Sequence, residues 1–305
     1  MRILVTGGAG FIGSHVADGY LAAGHDVTVF DDWSSGRRAN LPTGAKFVEG
    51  DITSPRLVEL VDWASFDVVN HHAAQASVRA SLERPDEDAR VNVYGTVNVL
   101  ACASRAKVKR LVFASTAGAL YGETELRPTP ETAPVWPESP YGVSKRACEK
   151  YLLWANKAGA IKTVVLRYAN VYGPRQGTNG EAGVVAIFTR ALLRGEPVRI
   201  FGDGEQTRDF VHVSDVVRAN AVALTAGDGG IYNVGTGIET SVNALYAKIA
   251  ASLGKTVAPR HDDAIPGELR YSSVDATRLR RELGVRCEMT LDDGLRDVAC
   301  AFKQL

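Results

Sequence analysis

The chain opens Arg2-Ile3-Leu4-Val5-Thr6-Gly7-Gly8-Ala9-Gly10-Phe11-Ile12-Gly13, a β-branched run, then glycines spaced by three, then an apolar pattern continuing through Val16 and Leu21. A strand that turns through glycines into a helix restricts the fold more than any other feature here. Glycine is needed where the turn is tight and where backbone must approach a pyrophosphate, whose charge is met by the free N–H groups of the helix start. Gly7, Gly10 and Gly13 alone would also suit a plain tight turn. Their position between the first strand and first helix of an alternating chain is what carries the dinucleotide reading.

That alternation is visible downstream. Short β-branched runs recur at 2–6, 27–31, 46–49, 67–71, 110–115 and 163–168, with helix-like stretches between them, as in a parallel sheet with crossover helices. After about Tyr168 the pattern loosens: segments rich in Gly and Pro separate helical runs at 184–194 and near 242–253. The expected class is α/β, a Rossmann-type doubly wound parallel sheet with a smaller C-terminal α/β substrate-binding domain. The boundary is expected at 167/168, with some later segments returning to the first domain, which spans 1–167. Residues 168–305 would hold the substrate. No linker or repeat interrupts the chain, so the halves are expected to pack closely.

Lys plus Arg and Asp plus Glu both number 35, so no global field favours nucleic acid or an anionic membrane, and any anionic ligand must be held by local donors. Cys102, Cys148, Cys287 and Cys300 are scattered without a C-x-x-C pair, which predicts reduced thiols in a cytoplasmic protein and no metal. The first apolar run meets glycine at once, and none reaches the roughly 18 residues of a membrane span. Neither a signal peptide nor a span is expected.

Asp31 ends the second strand about twenty residues beyond the glycines, where a carboxylate accepts both hydroxyls of an adenosine ribose. This favours NAD over NADP, because Asp31 and Asp32 repel an extra phosphate, while Arg37 and Arg38 read as a solvated loop pair. Asp51 and Ile52 follow the third strand, where they meet the adenine or simply form a strand-end turn. Tyr141 and Lys145 lie four apart at the start of a helical run, hence on one face. A phenol with a pKa near about 10 is a poor base at neutral pH, but a lysine and a cationic nicotinamide beside it favour the phenolate. Alone, Y-x-x-x-K is common on solvated helices. Downstream of the glycine loop it reads as a proton carrier.

Four segments, TGGAGFIGSH (6–15), YGVSK (141–145), LRYANVYGPRQ (166–176) and RDFVHVSDV (208–216), resemble the extended short-chain dehydrogenase/reductase family of nucleotide-sugar enzymes, over nearly the whole chain. Within it, the stretch 173–188 looks most like bacterial UDP-glucose 4-epimerases. The resemblance implies a hydroxyl residue beside the tyrosine after the fifth strand, and Thr116 is chosen, with Ser115 expected to satisfy backbone. It places the cofactor against Phe11, Ile12, Ser35, Gly36 and Ala114, its diphosphate near His72, Ala73, Ala74 and Gln75, and its carboxamide near Tyr168. It places the substrate diphosphate at Asn170 and Arg208, the uracil near Val184 and Val185, and the base and ribose against Arg199, Ile200 and Phe201. An arginine that the family often carries before its P-G-[DE] turn is Ile265 here, so Arg270 is expected to reach the phosphates instead. Ser272 occupies a position where a small side chain leaves the sugar pocket open, which implies tolerance of N-acetylated sugars.

In this family, dehydratases carry an Asp-Glu pair just after the hydroxyl residue and decarboxylases a glutamate, whereas this chain has Ala117-Gly118. The resemblance then implies redox-neutral epimerisation of a UDP-hexose, the glucose/galactose pair and its N-acetylated forms. Tyr141 takes the C4 hydroxyl proton as the C4 hydride leaves for NAD, the 4-keto sugar rotates, and the hydride returns to the other face. NAD would stay bound throughout. A UDP-glucuronate 4-epimerase would need a donor for the C6 carboxylate that the sequence does not locate. A non-catalytic NAD-binding scaffold would leave Thr116, Tyr141 and Lys145 surplus. A homodimer through helices at 90–106 and 141–158 is the family expectation.

Overall fold

The computed structural model describes residues 1–177, 183–265, 267 and 269–303. Strands β1 (Arg2–Thr6), β2 (Asp26–Asp31), β3 (Lys46–Glu49), β4 (Val68–His71), β5 (Arg110–Thr116) and β6 (Lys162–Tyr168) lie in one large sheet. Then β7 (Asn170–Tyr172), β8 (Arg199–Phe201) and β9 (Thr207–His212) leave it, and β10 (Ile231–Val234) returns to pair with β6. The last strands, β11 (Glu239–Ser241) and β12 (Arg260–Asp262), complete a β11-β9-β7 sheet and a β12-β8 pair.

The large sheet has the order β10-β6-β5-β4-β1-β2-β3 and is parallel throughout. The chain winds outward from β1 to β3, then crosses back to β4 on the far side of β1. Such a reversal opens a crevice at the carboxyl ends of the strands, where open α/β sheets bind ligands. Here it falls where Thr6 pairs with His71.

Burial explains why these strands read as continuous apolar runs. Successive side chains point to opposite faces, and away from the β3 edge both faces are covered, so the strands carry apolar side chains at most positions. Ile3 and Val5 join one layer with Val16 and Tyr20 of the helix Phe11–Ala22 and Val216 and Ala219 of the helix Val213–Ala223. Leu4, Leu111 and Phe113 join the other with Val99 of the helix Gly95–Arg105 and Leu152 of the helix Pro140–Lys157. A third cluster, including Tyr172, Phe188, Phe210, Leu245 and Leu295, centres the remaining elements. The helix Val213–Ala223 and β10 lie past residue 168 yet build layers of the large sheet, and β10 was not among the strands read from the sequence.

The helix Pro140–Lys157 starts sharply. Ser139 caps it by accepting the Gly142 amide, and Pro140 takes the first-turn position whose N–H would be unused anyway. Tyr141 is thereby held in the first turn. Among the described residues no helix is long and apolar enough to cross a membrane, and no cluster of His, Cys, Asp or Glu could hold a metal ion. All four cysteines are unpaired.

Candidate active site

A cavity of about 1660 Å³ occupies the crevice. Pockets for one small ligand run to roughly 300–1,000 Å³, so this one has room for a dinucleotide and a second ligand of similar size. Its wall runs from Gly7 after β1 and Asp31 at the end of β2, past His72 and Thr116 at the ends of β4 and β5, to Arg199 and Ser272.

The cofactor end fits a dinucleotide on steric grounds. Gly7 adopts φ +69°, and a β-carbon there would lie 2.5 Å from the Ala73 nitrogen; one on Gly13 would lie 2.2 Å from the Gly7 oxygen. Only glycine permits that close turn, which leaves the helix start bare toward the cavity. Gly10, Phe11, Ile12 and Gly13 all line it. Asp31 is anchored by the amides of Ala9 (3.0 Å) and Trp33 (2.9 Å), one on each oxygen, and burial raises its carboxyl above the usual range. A carboxylate has about four acceptor sites, so two remain for ribose hydroxyls. Asp32, Ser35, Asp51, Ile52, Ala73, Ala74 and Gln75 also face the cavity. Asp51 meanwhile makes the strand-end turn, accepting the Thr53 amide and hydroxyl at 2.7 Å each. Gly36 does not reach the cavity wall. It packs against Asp31, where a β-carbon would sit 2.4 Å from Oδ1, so it shapes the carboxylate's seat.

Thr116, Tyr141 and Lys145 converge on the wall with Ala114 and Tyr168. Lys145 is 4% exposed; its ammonium donates to the Ala114 carbonyl at 3.0 Å and lies 5.8 Å from the centre of the Tyr141 ring. Tyr168 stacks on His72 and accepts a hydrogen bond from Asn220 at 2.8 Å. Burial, with Lys145 adding its charge, pushes the His72 imidazole down to about 3, so it faces the cavity neutral.

One part of this region escaped the sequence. Ser115, expected to serve backbone, instead donates to Glu149 Oε1 at 2.8 Å. Glu149 is wholly buried, four residues beyond Lys145 on the same helix face, and also receives Arg167 (2.8 and 2.7 Å) and Arg146 (3.0 Å). Arg167 continues to the Tyr121 hydroxyl at 2.8 Å, which donates onward to Asn233 at 2.8 Å. The helix that carries Tyr141 and Lys145 is thus fastened to β5, β6 and β10 by one buried, fully hydrogen-bonded carboxylate.

At the other end, Asn170, Val184, Arg199, Ile200, Phe201, Arg208 and Ser272 line the cavity. Val185 and Arg270 do not. Val185 is 1% exposed and turns into the third core cluster, because one helical step rotates a side chain about 100° away from its neighbour; Ile187 and Phe188 face the cavity instead. Arg270 is held away by Asp203, which takes two of its nitrogens at 2.7 Å each. Arg175 and Gln176, unassigned from sequence, belong to the wall. Residues 178–182 of the stretch resembling 4-epimerases, and Pro266 and Glu268 of the turn after Ile265, lie outside the described residues.

Fold and site define an oxidoreductase-type centre built around a dinucleotide. Comparison with known proteins narrows this: residues 3–235 match the NAD dependent epimerase/dehydratase family, and the chain belongs to that family. It is 45% identical to the UDP-glucose 4-epimerase of Mycolicibacterium smegmatis over 99% of both chains. Among solved structures it is similar to the UDP-glucose 4-epimerase of Thermotoga maritima with UDP-glucose (TM-score 0.98, 45% identity, 100% of this chain and 99% of that one). It is also similar to the Thermus thermophilus UDP-glucose 4-epimerase complexed with NAD (TM-score 0.93, 41% identity, 99% of each).

Proposed function

We propose that the protein interconverts UDP-glucose and UDP-galactose, and their N-acetylated counterparts, by oxidation and re-reduction at C4 with NAD retained throughout. The observation that carries this reading is the pair of residues next to Thr116. Ala117 is fully buried, Gly118 has no side chain, and neither offers a carboxylate to drive loss of water. A 4-keto sugar formed in this site has re-reduction open to it, and the names of the similar proteins support that outcome.

Bound NAD supplies the hydride acceptor and then the donor. The protein's own residues handle the proton and the geometry. Tyr141 holds the proton of the C4 hydroxyl, Lys145 orients the phenol and the cofactor ribose from its seat on Ala114, and Thr116 hydrogen-bonds the reacting oxygen. Residues 1–167, with the segments that return to the large sheet, hold NAD, and 168–305 hold the sugar nucleotide through Asn170, Arg199 and Arg208. Gly118 and Ser272 both line the cavity and lie against each other at the sugar end, a β-carbon on Gly118 falling 3.2 Å from the Ser272 hydroxyl; two small residues side by side keep the wall low where an acetamido group would project. The protein works in the cytoplasm as a homodimer. Tyr94, Tyr151 and Trp154, 45–65% exposed on the two helix segments expected at the interface, support that assembly.

The test uses purified protein without added NAD and a panel of UDP-hexoses, their N-acetylated forms and UDP-uronates, with Tyr141→Phe in parallel. Wild type should convert the hexoses, while Tyr141→Phe should keep its NAD and lose activity by about two to four orders of magnitude. No conversion by wild type, or near-normal turnover by Tyr141→Phe, would reject the reading. Light scattering on the same sample should give twice the chain mass, and a monomer would reject the dimer.

A further inference from the structure

We propose that Arg175 is a cofactor-binding residue, a cation from the substrate half of the chain that lies over the start of the glycine-loop helix and pairs with the dinucleotide's diphosphate. The inference rests on the reading that this loop holds NAD.

Position is the first argument. Arg175 lines the same cavity as Gly10, Phe11, Ile12 and Gly13. One of its nitrogens donates to the Ser14 hydroxyl at 3.2 Å and the other pairs with Asp18 at 2.7 Å. Ser14 and Asp18 are one turn apart on a single helix face, so the guanidinium lies along the first two turns. The chain just before it is pinned as well, since His15 Nε2 donates to the Pro174 carbonyl at 2.9 Å.

Charge is the second. A dinucleotide diphosphate brings about two negative charges, whereas a helix start offers only roughly half a positive one. The protein has no net charge to add. A guanidinium presents a planar fork of donors that matches phosphate oxygens, and it loses little by exchanging a half-exposed carboxylate for them. Asp18 and Arg175 are 39% and 33% exposed, so their pair can loosen or share when a diphosphate arrives.

Backbone conformation is the third. Arg175 has φ +65°, a left-handed value that glycine adopts freely and a side chain resists by about 1–2 kcal/mol. Gly173 and Gly177 flank this turn, yet the strained position carries an arginine. Residues held this way gather where the side chain is used. The consequence is that the dinucleotide joins the two halves of the molecule, which suits a cofactor that is never exchanged.

The experiment compares wild type, Arg175→Gly and Arg175→Lys. Release of NAD into a coupled dehydrogenase assay reads the off-rate, thermal melting reads stability, and calorimetry with UDP reads the substrate end. Arg175→Gly should release NAD at least about tenfold faster, as loss of a charge-assisted pair predicts, while melting no lower than wild type because glycine relaxes the φ. UDP affinity should stay within about twofold. Arg175→Lys keeps a charge without the fork and should fall between. Release at the wild-type rate in Arg175→Gly overturns the inference, as does weakened UDP binding with NAD held normally, which would assign Arg175 to the substrate's diphosphate. Should Arg175→Gly melt lower, Arg175→Lys must still release NAD faster than wild type, or the inference fails. A wild-type protein that neither carries nor binds NAD would instead reject the underlying reading.

Discussion

Arg167 and Arg270 each grip one carboxylate through two nitrogens, Glu149 at 2.8 and 2.7 Å and Asp203 at 2.7 Å twice. The side chains of the first pair are 1% and 0% exposed, those of the second 42% and 56%. The chemistry is identical and the consequences are not. At the surface, water replaces either partner, and the pair is a loose latch between the turn after β8 and the segment before Ser272. In the interior, losing either partner strands a buried charge: Arg167 would keep only the Tyr121 hydroxyl, and Glu149 only Arg146 and Ser115. That dependence is what lets the inner pair fix the catalytic helix against β5 and β6, while the outer pair only shapes the mouth of the substrate end.

The largest effect should come from breaking the inner pair on one side. Arg167→Met leaves Glu149 buried with Arg146 and Ser115 alone, and should destabilise the protein by about 3–5 kcal/mol in urea unfolding. Adding Glu149→Met should restore much of that loss, since the one charge then left without its carboxylate, Arg146, is 29% exposed and open to water. A single variant within about 1 kcal/mol of wild type would mean that water reaches Glu149, and the contrast between the pairs would collapse.

A second buried group sharpens the contrast through pH. His71 is 1% exposed, with Thr6 and Thr96 hydroxyls on its two ring nitrogens at 2.6 and 3.0 Å. Burial, reinforced by Lys145, pushes its pKa down to about 3, whereas an unfolded imidazole titrates near about 6.5. Between those values the unfolded chain takes up a proton that the folded one refuses. The His71 contribution is therefore complete above about pH 6.5 and declines below it by about 1.4 kcal/mol per unit, or about 2 kcal/mol by pH 5. Urea midpoints at pH 7.5 and 5 for wild type and His71→Asn check this, the variant losing less by that amount. Equal losses would show that His71 accepts a proton inside the fold.

The same contrast explains what could be read from the sequence. The glycine loop, Asp31 and the Tyr141–Lys145 pair are local patterns whose spacing already places them, and all line the cavity. The six strands read from β-branched runs agree with β1 to β6 within a residue; in five of them burial on both faces imposes a largely apolar pattern, while edge strand β3 is marked only by its Phe47-Val48 pair. Glu149 was missed because a glutamate between Cys148 and Lys150 reads as a solvated helix residue; its partner Arg167 arrives from another strand. Val185 was misplaced because Val184 and Val185 are alike, and only packing against Phe188 and Leu245 decides which of them faces the core. β10 was missed because four residues carry too little pattern, and its place beside β6 depends on the whole sheet.

Arg270 is the case where composition pointed one way and a distant partner the other. An arginine three residues past a turn that lacks its usual cation is a reasonable phosphate ligand, until Asp203, 67 residues earlier, takes both of its nitrogens. Asp203 gains in turn, its carboxyl held well below the usual range first by Arg270 and then by the Glu205 amide. A phosphate would have to displace this partner, while Arg208 already lies on the cavity wall. Arg270→Ala should therefore leave the urea midpoint unchanged and the affinity for UDP within about twofold, the smallest effect of the series, as befits a pair that water can replace. Calorimetry with UDP measures it. A tenfold loss would show that the latch opens when substrate binds and that Arg270 then turns to the phosphates, making the exposed pair a switch and the buried one a fixture.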